Sequence, residues 1–253
     1  MGNRKIALIT GGSRGLGRSA ALHLATQGVD VILTYRSQQA EAQAVADEIA
    51  RLGGKAQALM LDVEDSAAFP AFAKQIGDVL KTQWQRTHFD FLVNNAGVGA
   101  HAAFADTTPE QFDQMVRMHI KAPFFLTQAL LPLIADGGRI LNVSSGLARF
   151  ALPGYAAYAS MKGAVETLTR YLAKELGPRK IAVNVIAPGA IETDFGGGAV
   201  RDNAQLNAYI ASQTALGRVG LPEDIGGAVA ALLSDGNRWV TAQRIEVSGG
   251  MFL

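Results

Sequence analysis

Short, almost wholly apolar runs alternate along this chain with longer stretches whose apolar residues recur at three- and four-residue steps. The runs are Ile6-Ala7-Leu8-Ile9, Val31-Ile32-Leu33-Thr34-Tyr35, Ala58-Leu59-Met60-Leu61, Phe91-Leu92-Val93-Asn94-Asn95, residues 139–143, Val183-Asn184-Val185-Ile186 and Arg244-Ile245-Glu246-Val247. Runs this apolar suit parallel strands covered on both faces. Between them, Leu16, Ala20 and Leu24 make a helical stripe that stops at Gly28, and Ala42, Val45, Ala46, Ile49 and Leu52 make a second, closed by Gly53-Gly54. Further helices are predicted over residues 66–84, around residues 118–124, and from Met161 through Val165, Leu168 and Leu172 to Leu176. A polar helix near residues 203–213 and one opened by Pro222-Glu223-Asp224 complete the set. Seven strands alternating with helices predict a single α/β domain over residues 1–253, a doubly wound seven-stranded parallel sheet with helices on both faces. No internal repeat, low-complexity stretch or linker interrupts it.

Composition narrows the possible functions. At 253 residues and 49% hydrophobic, the chain has length for one sizeable core, and no apolar run is long enough to span a membrane. A formal net charge of +1 offers no broad footprint for nucleic acid. The absence of cysteine excludes disulfides and thiolate metal sites, and the four scattered histidines form no ligand set, so no metal is expected. Met1-Gly2-Asn3-Arg4-Lys5 leads directly into the first strand without a signal peptide, so a cytoplasmic protein is expected.

Candidate chemistry begins at Tyr158 and Lys162. On a helix they are i and i+4, stacked on one face within reach of each other. A free tyrosine titrates near about 10, and a fixed ammonium neighbour lowers that value. Taken alone, the pair also fits ordinary packing. Tyr155 competes as the acid, but Ala159, not a cation, lies four residues after it. A glycine turn, Thr10-Gly11-Gly12-Ser13-Arg14-Gly15-Leu16-Gly17, follows the first strand. Two registers are open to it. Gly15-x-Gly17-x-x-Ala20 would lie inside the helix, whereas Gly11-x-x-x-Gly15-x-Gly17 starts where the strand stops, which suits a backbone turn under a pyrophosphate.

With Asn94-Asn95-Ala96-Gly97 after the fourth strand and Ser144-Ser145 thirteen to fourteen residues before Tyr158, this ordered set resembles the short-chain dehydrogenase/reductase family from Lys5 to Gly250. The most similar subgroup carries the label 3-oxoacyl-carrier-protein reductase. The resemblance implies a Rossmann fold and an NADP(H)-dependent reduction of a small-molecule carbonyl or acyl thioester. Tyr158 would donate the proton, Ser145 would hold the carbonyl oxygen, and Lys162 would lower the Tyr158 pKa and bind the ribose. Ser13, Leu16 and the three turn glycines would cradle the pyrophosphate, and Asp62 with Val63 would meet the adenine. Asn95, Ala96, Gly97, Pro188, Gly189, Ile191 and Thr193 would face the remainder of the dinucleotide.

The end of the second strand decides the nucleotide. Tyr35-Arg36-Ser37 carries no carboxylate where an NAD site has one, and Arg14 supplies a second guanidinium for a 2′-phosphate, although either arginine fits simple solvation as well. One departure stands out. His119 occupies the place where relatives commonly carry an asparagine that bends the helix and holds a water for the lysine; the imidazole either holds that water or packs against the helix. Leu147, Phe150, Leu152, Tyr155, Ala190 and Phe195 are expected around the carbonyl, an apolar wall suited to hydrophobic ketones or 3-oxoacyl thioesters. A substrate lid is expected at about residues 193–215. Met251-Phe252-Leu253 reads as buried at an interface, and relatives imply a homotetramer. An alternative is a catalytically idle module that senses NADP(H) redox state, with His119 as its sequence support.

Overall fold

A computed structural model describes residues 4–253; residues 1–3, the start of the segment read as leading into the first strand, lie outside the described residues. Seven parallel strands form one sheet in the order β3-β2-β1-β4-β5-β6-β7. They are β1 (Ile6–Ile9), β2 (Asp30–Tyr35), β3 (Ala56–Met60), β4 (Phe89–Asn94), β5 (Ile134–Val143), β6 (Ala182–Pro188) and β7 (Arg244–Val247). Strand β3 begins two residues before the predicted run and β5 five residues before it. In β5 the extra length, around Gly137 and Gly138, is exposed or glycine-rich and carries no apolar pattern.

The period-two geometry of β1 divides the core. Ile6 and Leu8 pack on one face, under α3 (Phe69–Trp84) and α6 (Ala156–Leu176), while Ala7 and Ile9 pack on the other, under α1 (Gly15–Thr26) and α2 (Gln39–Arg51). All four residues of β1 and all seven of β6 are buried, which explains their continuous apolarity. Because the order reverses between β1 and β4, a crevice opens beyond their C-terminal ends, where ligands of open α/β sheets gather.

The helix expected around residues 118–124 is bent. It runs as α4 (Pro109–Val116), a wide π turn over Arg117–Lys121, and α5 (Ala122–Leu130). Thr108 and Gln111 cap its start reciprocally. Pro123 accounts for the bend: it has no N–H to give the carbonyl of His119, four residues earlier, and its ring crowds that carbonyl.

Helices α7 (Ala199–Asp202) and α8 (Ala204–Ser212) pack on each other, and α9 (Pro222–Leu232) packs on α1. The closing residues differ from the interface expected of them. Met251 is buried within its own chain, paired with Thr214, and Phe252 is half-covered against Phe150; Leu253 alone of the three is exposed.

Candidate active site

Three strand ends build the crevice floor. After β1 the chain turns at Gly11 and Gly15, both with positive φ (64° and 53°), where glycine is favoured. Gly17 opens the helix in close contact with that turn: a Cβ there would lie 2.2 Å from the Gly11 carbonyl oxygen. These positions carry the Gly11–Gly15–Gly17 register rather than one wholly inside α1. After β4, Asn95 donates its amide hydrogens to the carbonyls of Thr10 (2.8 Å) and Gly11 (3.1 Å), pinning the two strand ends together. Ser13 and Leu16 are half-buried along the turn, and Ala96 donates its N–H to the Thr10 hydroxyl. Gly97 serves a neighbour: a Cβ there would meet the His119 ring at 2.9 Å.

At the outer end of β2, Arg36 and Ser37 are exposed. The sequence around β2 offered no nearby carboxylate, but the fold brings one from the segment after β3. Glu64 lies 3.6 Å from both Arg36 and Arg117. Glu64 thus draws Arg117 to the same corner as Arg36. Asp62 is exposed and accepts from the Glu64 amide, with Val63 buried beside it. Arg14 lies 3.5 Å from Asp194, across the mouth of the crevice. Pro188 closes β6 and Gly189 follows it, Ile191 bridges to Gly220, and the Thr193 methyl reaches within 3.6 Å of a Cβ placed on Gly15.

Ser145 follows β5, and Tyr158 and Lys162 project from α6; the last two are 6% and 5% exposed. Lys162 donates to the Val143 carbonyl at 2.8 Å, and its ammonium nitrogen lies 5.4 Å from the Tyr158 ring centre. The Ser145 hydroxyl accepts from the Leu147 amide at 3.2 Å. Burial pushes Tyr158 above the ordinary phenol value, the Ser145 hydroxyl beside it pulls the other way, and the Tyr155 hydroxyl adds to the rise. Burial also drags Lys162 down to about 7. Burial, which disfavours both charged forms, sets the direction of the Tyr158 shift in place of the lowering expected from Lys162.

His119 sits in the π turn and is 3% exposed. Its ring stands edge-on to Tyr158, centres 5.1 Å apart, and its Nε2 lies 2.8 Å from the Val98 carbonyl. Burial, then the nearby Lys162 ammonium, hold the imidazole down to about 3 despite the pull of Val98. The ring is thus neutral at pH 7, with Nε2–H donating and Nδ1 left as an acceptor. That Nδ1 and the Oδ1 of Asn94 are buried without partners, and both residues line one cavity of about 20 Å³ together with Lys162. In the sequence Asn94 is part of the Asn94-Asn95-Ala96-Gly97 motif without a role of its own, although a polar residue closing the apolar run of β4 marks it.

The expected carbonyl wall divides. Leu147, Leu152 and Tyr155 line a separate apolar cavity of about 310 Å³, while the Phe195 ring lies 5.7 Å from that of Tyr158. Phe150 and Ala190 instead pack with Ile210, Val219 and Met251, because the closing residues of the chain fold back over them. Arg149 turns away from the crevice to pair with Glu246.

A family profile described as enoyl-(acyl carrier protein) reductase matches residues 11–252. The short-chain dehydrogenase/reductase FrzI of a Cladobotryum species is 37% identical over 98% of this chain and 95% of its own length. Tetrahydroxynaphthalene reductase PfmaG of Pestalotiopsis fici is 35% identical over 97% of this chain and 91% of its own. Among solved structures, the angucycline C-6 ketoreductase LanV with bound NADP superposes with a TM-score of 0.93 at 38% identity, covering 98% of this chain and 95% of that one. Likeness that runs end to end in both sequence and backbone marks common descent, and the chain belongs to the short-chain dehydrogenase/reductase family.

Proposed function

We propose that this protein reduces a hydrophobic ketone to a secondary alcohol with NADPH. The observation that carries the reading is the meeting of Ser145, Tyr158 and Lys162 in the crevice beside the glycine turn. The chain fits the dinucleotide on its own geometry. The turn approaches too closely for any side chain at Gly17, Arg36 and Arg117 share Glu64 at the end of β2, where a 2′-phosphate would lie, and Arg14 stands on the turn itself. Asn95, Ala96, Gly97, Pro188, Gly189, Ile191 and Thr193 would line the rest of it, with Asp62 and Val63 at the adenine end.

When bound, NADPH supplies the hydride to the carbonyl carbon. Tyr158 gives its hydroxyl proton to the carbonyl oxygen as negative charge develops there, and Ser145 donates a hydrogen bond to the same oxygen. With its pKa raised by burial, Tyr158 stays protonated at neutral pH, which suits donation. Lys162 holds the ribose hydroxyls, and its ammonium then favours the phenolate left behind. The cavity between His119 and Asn94 has room for one water, whose two hydrogens match the two unpartnered acceptors. His119 thereby keeps the water beside Lys162 that returns the proton.

The apolar cavity along Leu147, Leu152 and Tyr155, with Phe195 above Tyr158, supports bulky aryl or alkyl ketones, and 3-oxoacyl thioesters after them. The relatives named as tetrahydroxynaphthalene and angucycline ketoreductases support the aryl choice. Residues 193–215 act as the lid, hinged at Gly196 to Gly198, all three at positive φ. The protein works as a homotetramer in the cytoplasm; no helix among the described residues is long and apolar enough to cross a membrane. The idle sensor has less behind it, since the serine, tyrosine and lysine are all in place.

NADPH oxidation measured against a panel of aryl ketones, acyl thioesters and polyols tests the reading. Aryl ketones should have the highest kcat/KM. A polyol as best substrate would overturn the substrate class, and no turnover of any carbonyl would favour the sensor. Arg36→Asp should turn the preference toward NADH by placing like charge against the phosphate. A wild-type enzyme that prefers NADH would overturn the cofactor assignment.

A further inference from the structure

A chain of alternating charges runs from the end of the polypeptide to the two serines, and none of its charged groups has a part in the proton or hydride transfer described above. Arg149 donates to the carbonyls of Met251 (2.7 Å) and Phe252 (3.1 Å) and forks onto Glu246 at 2.8 and 2.9 Å. Arg244 comes next, donating to Glu246 at 2.9 Å and to Glu166 on α6 at 2.8 Å. Its remaining nitrogen reaches the Ser145 carbonyl at 3.3 Å. The Glu166 oxygen that Arg244 holds is the same one that accepts from the Ser144 hydroxyl, at 2.7 Å.

The sheet explains why such a clamp matters. Strand β5 ends at Val143, and the backbone bond from the Ser144 amide to the Ile186 carbonyl (2.7 Å) continues its ladder by one residue. Beyond that point the ladder no longer fixes the backbone. Ser145 is held by the short turn that follows, through the Ala148 amide on its carbonyl, and by Arg244 on the same carbonyl. A planar guanidinium serves three acceptors on three elements at once: Glu166 on α6, Glu246 on β7 and the carbonyl after β5. A lysine ammonium is a point charge and cannot span that fan.

We infer that Arg244, braced by Glu166, is a positioning residue that holds Ser145 at the reacting carbonyl, and that the closing residues of the chain reach the site through Arg149 and Glu246. This rests on Ser145 contacting the carbonyl, as in the function proposed above. A donor displaced by a fraction of an ångström costs rate rather than cofactor affinity.

The test uses the full chain with NADPH and the best ketone of the panel. Arg244→Met should lower kcat about ten- to a hundredfold while NADPH affinity, read by fluorescence titration, stays within about threefold. The same substitution in a Ser145→Ala background should cost nothing further, because no serine hydroxyl is left to place. An equal fall in both backgrounds would mean that Arg244 serves the fold at large and would overturn the inference, as would unchanged kcat in Arg244→Met. Should Arg244→Met fail to fold, Glu166→Gln keeps the size of the side chain but weakens the brace, and it must show the same split and the same dependence on Ser145. A wild-type protein that reduces no ketone overturns the proposed function first; a Ser145-dependent reductase indifferent to both substitutions overturns this inference alone.

Discussion

Tyr158 and Lys162 are buried at a cost in opposite senses of charge, and that cost is measurable. Tyr158→Phe removes the proton donor but no contact needed by the nucleotide, so turnover should vanish while NADPH affinity changes only a few fold. Retained turnover would exclude Tyr158 as the acid. For Lys162 the consequence is one of stability. Its folded-state value is about 7 against 10.5 for the free group. Between those values the unfolded chain binds a proton that the folded one does not, so stability rises with pH through that window. At and below pH 7 the folded protein carries an ammonium in poorly hydrated surroundings. Lys162→Met should therefore raise the Tm of the cofactor-free protein below pH 7, lose that advantage as pH climbs toward 10.5, and abolish activity. Thermal melts across that range check it; a variant with lower Tm below pH 7 would show that the lysine is held by more than its bond to Val143. For His119 the same rule acts on the acid side. With its value at about 3, stability is lost as pH falls from 6.5 toward 3, and His119→Asn should flatten that slope.

Strands and most helices were legible from sequence because each needs only its own period, and a strand covered on both faces announces itself by unbroken apolarity. What local pattern hides is any partner supplied from far along the chain. Glu64 at Arg36, Glu166 at Arg244, and the pairing of Asn94 with Asn142 and Thr127 join residues tens of positions apart. Arg149 likewise had no readable direction until Glu246 was beside it. The three glycines of the lid hinge are a clearer case of local meaning. A Cβ on Gly196 or Gly197 would touch nothing within 4 Å, yet φ is 62° and 73°. Alanine at both should thus cost about 1–2 kcal/mol per position through backbone strain alone. Changing both should raise KM for the ketone while NADPH affinity holds. Steady-state kinetics with unchanged KM would remove the hinge.

Over the whole molecule, several large apolar side chains lie exposed besides Leu253 at the end of the chain. Phe112, Phe124 and Phe125 on the bent helix are 42%, 44% and 41% exposed, and Tyr171 on α6 is 65% exposed. Aromatic faces of this kind favour self-association, so light scattering at micromolar concentration should find a tetramer, and Phe124→Glu combined with Phe125→Glu should dissociate it. A monomeric wild type would remove the assembly. Met251, expected at an interface, is covered by its own chain, which local sequence could not reveal. The bend between α4 and α5 has a different kind of consequence. It is set by Pro123, a neighbour of His119 in the cavity lining, through its ring and its missing N–H, so the bend has a cause other than the side chain at position 119. Evolution can then exchange that side chain as a removable part. An amide or an imidazole changes how protons are managed behind the lysine while the architecture that presents it stays constant.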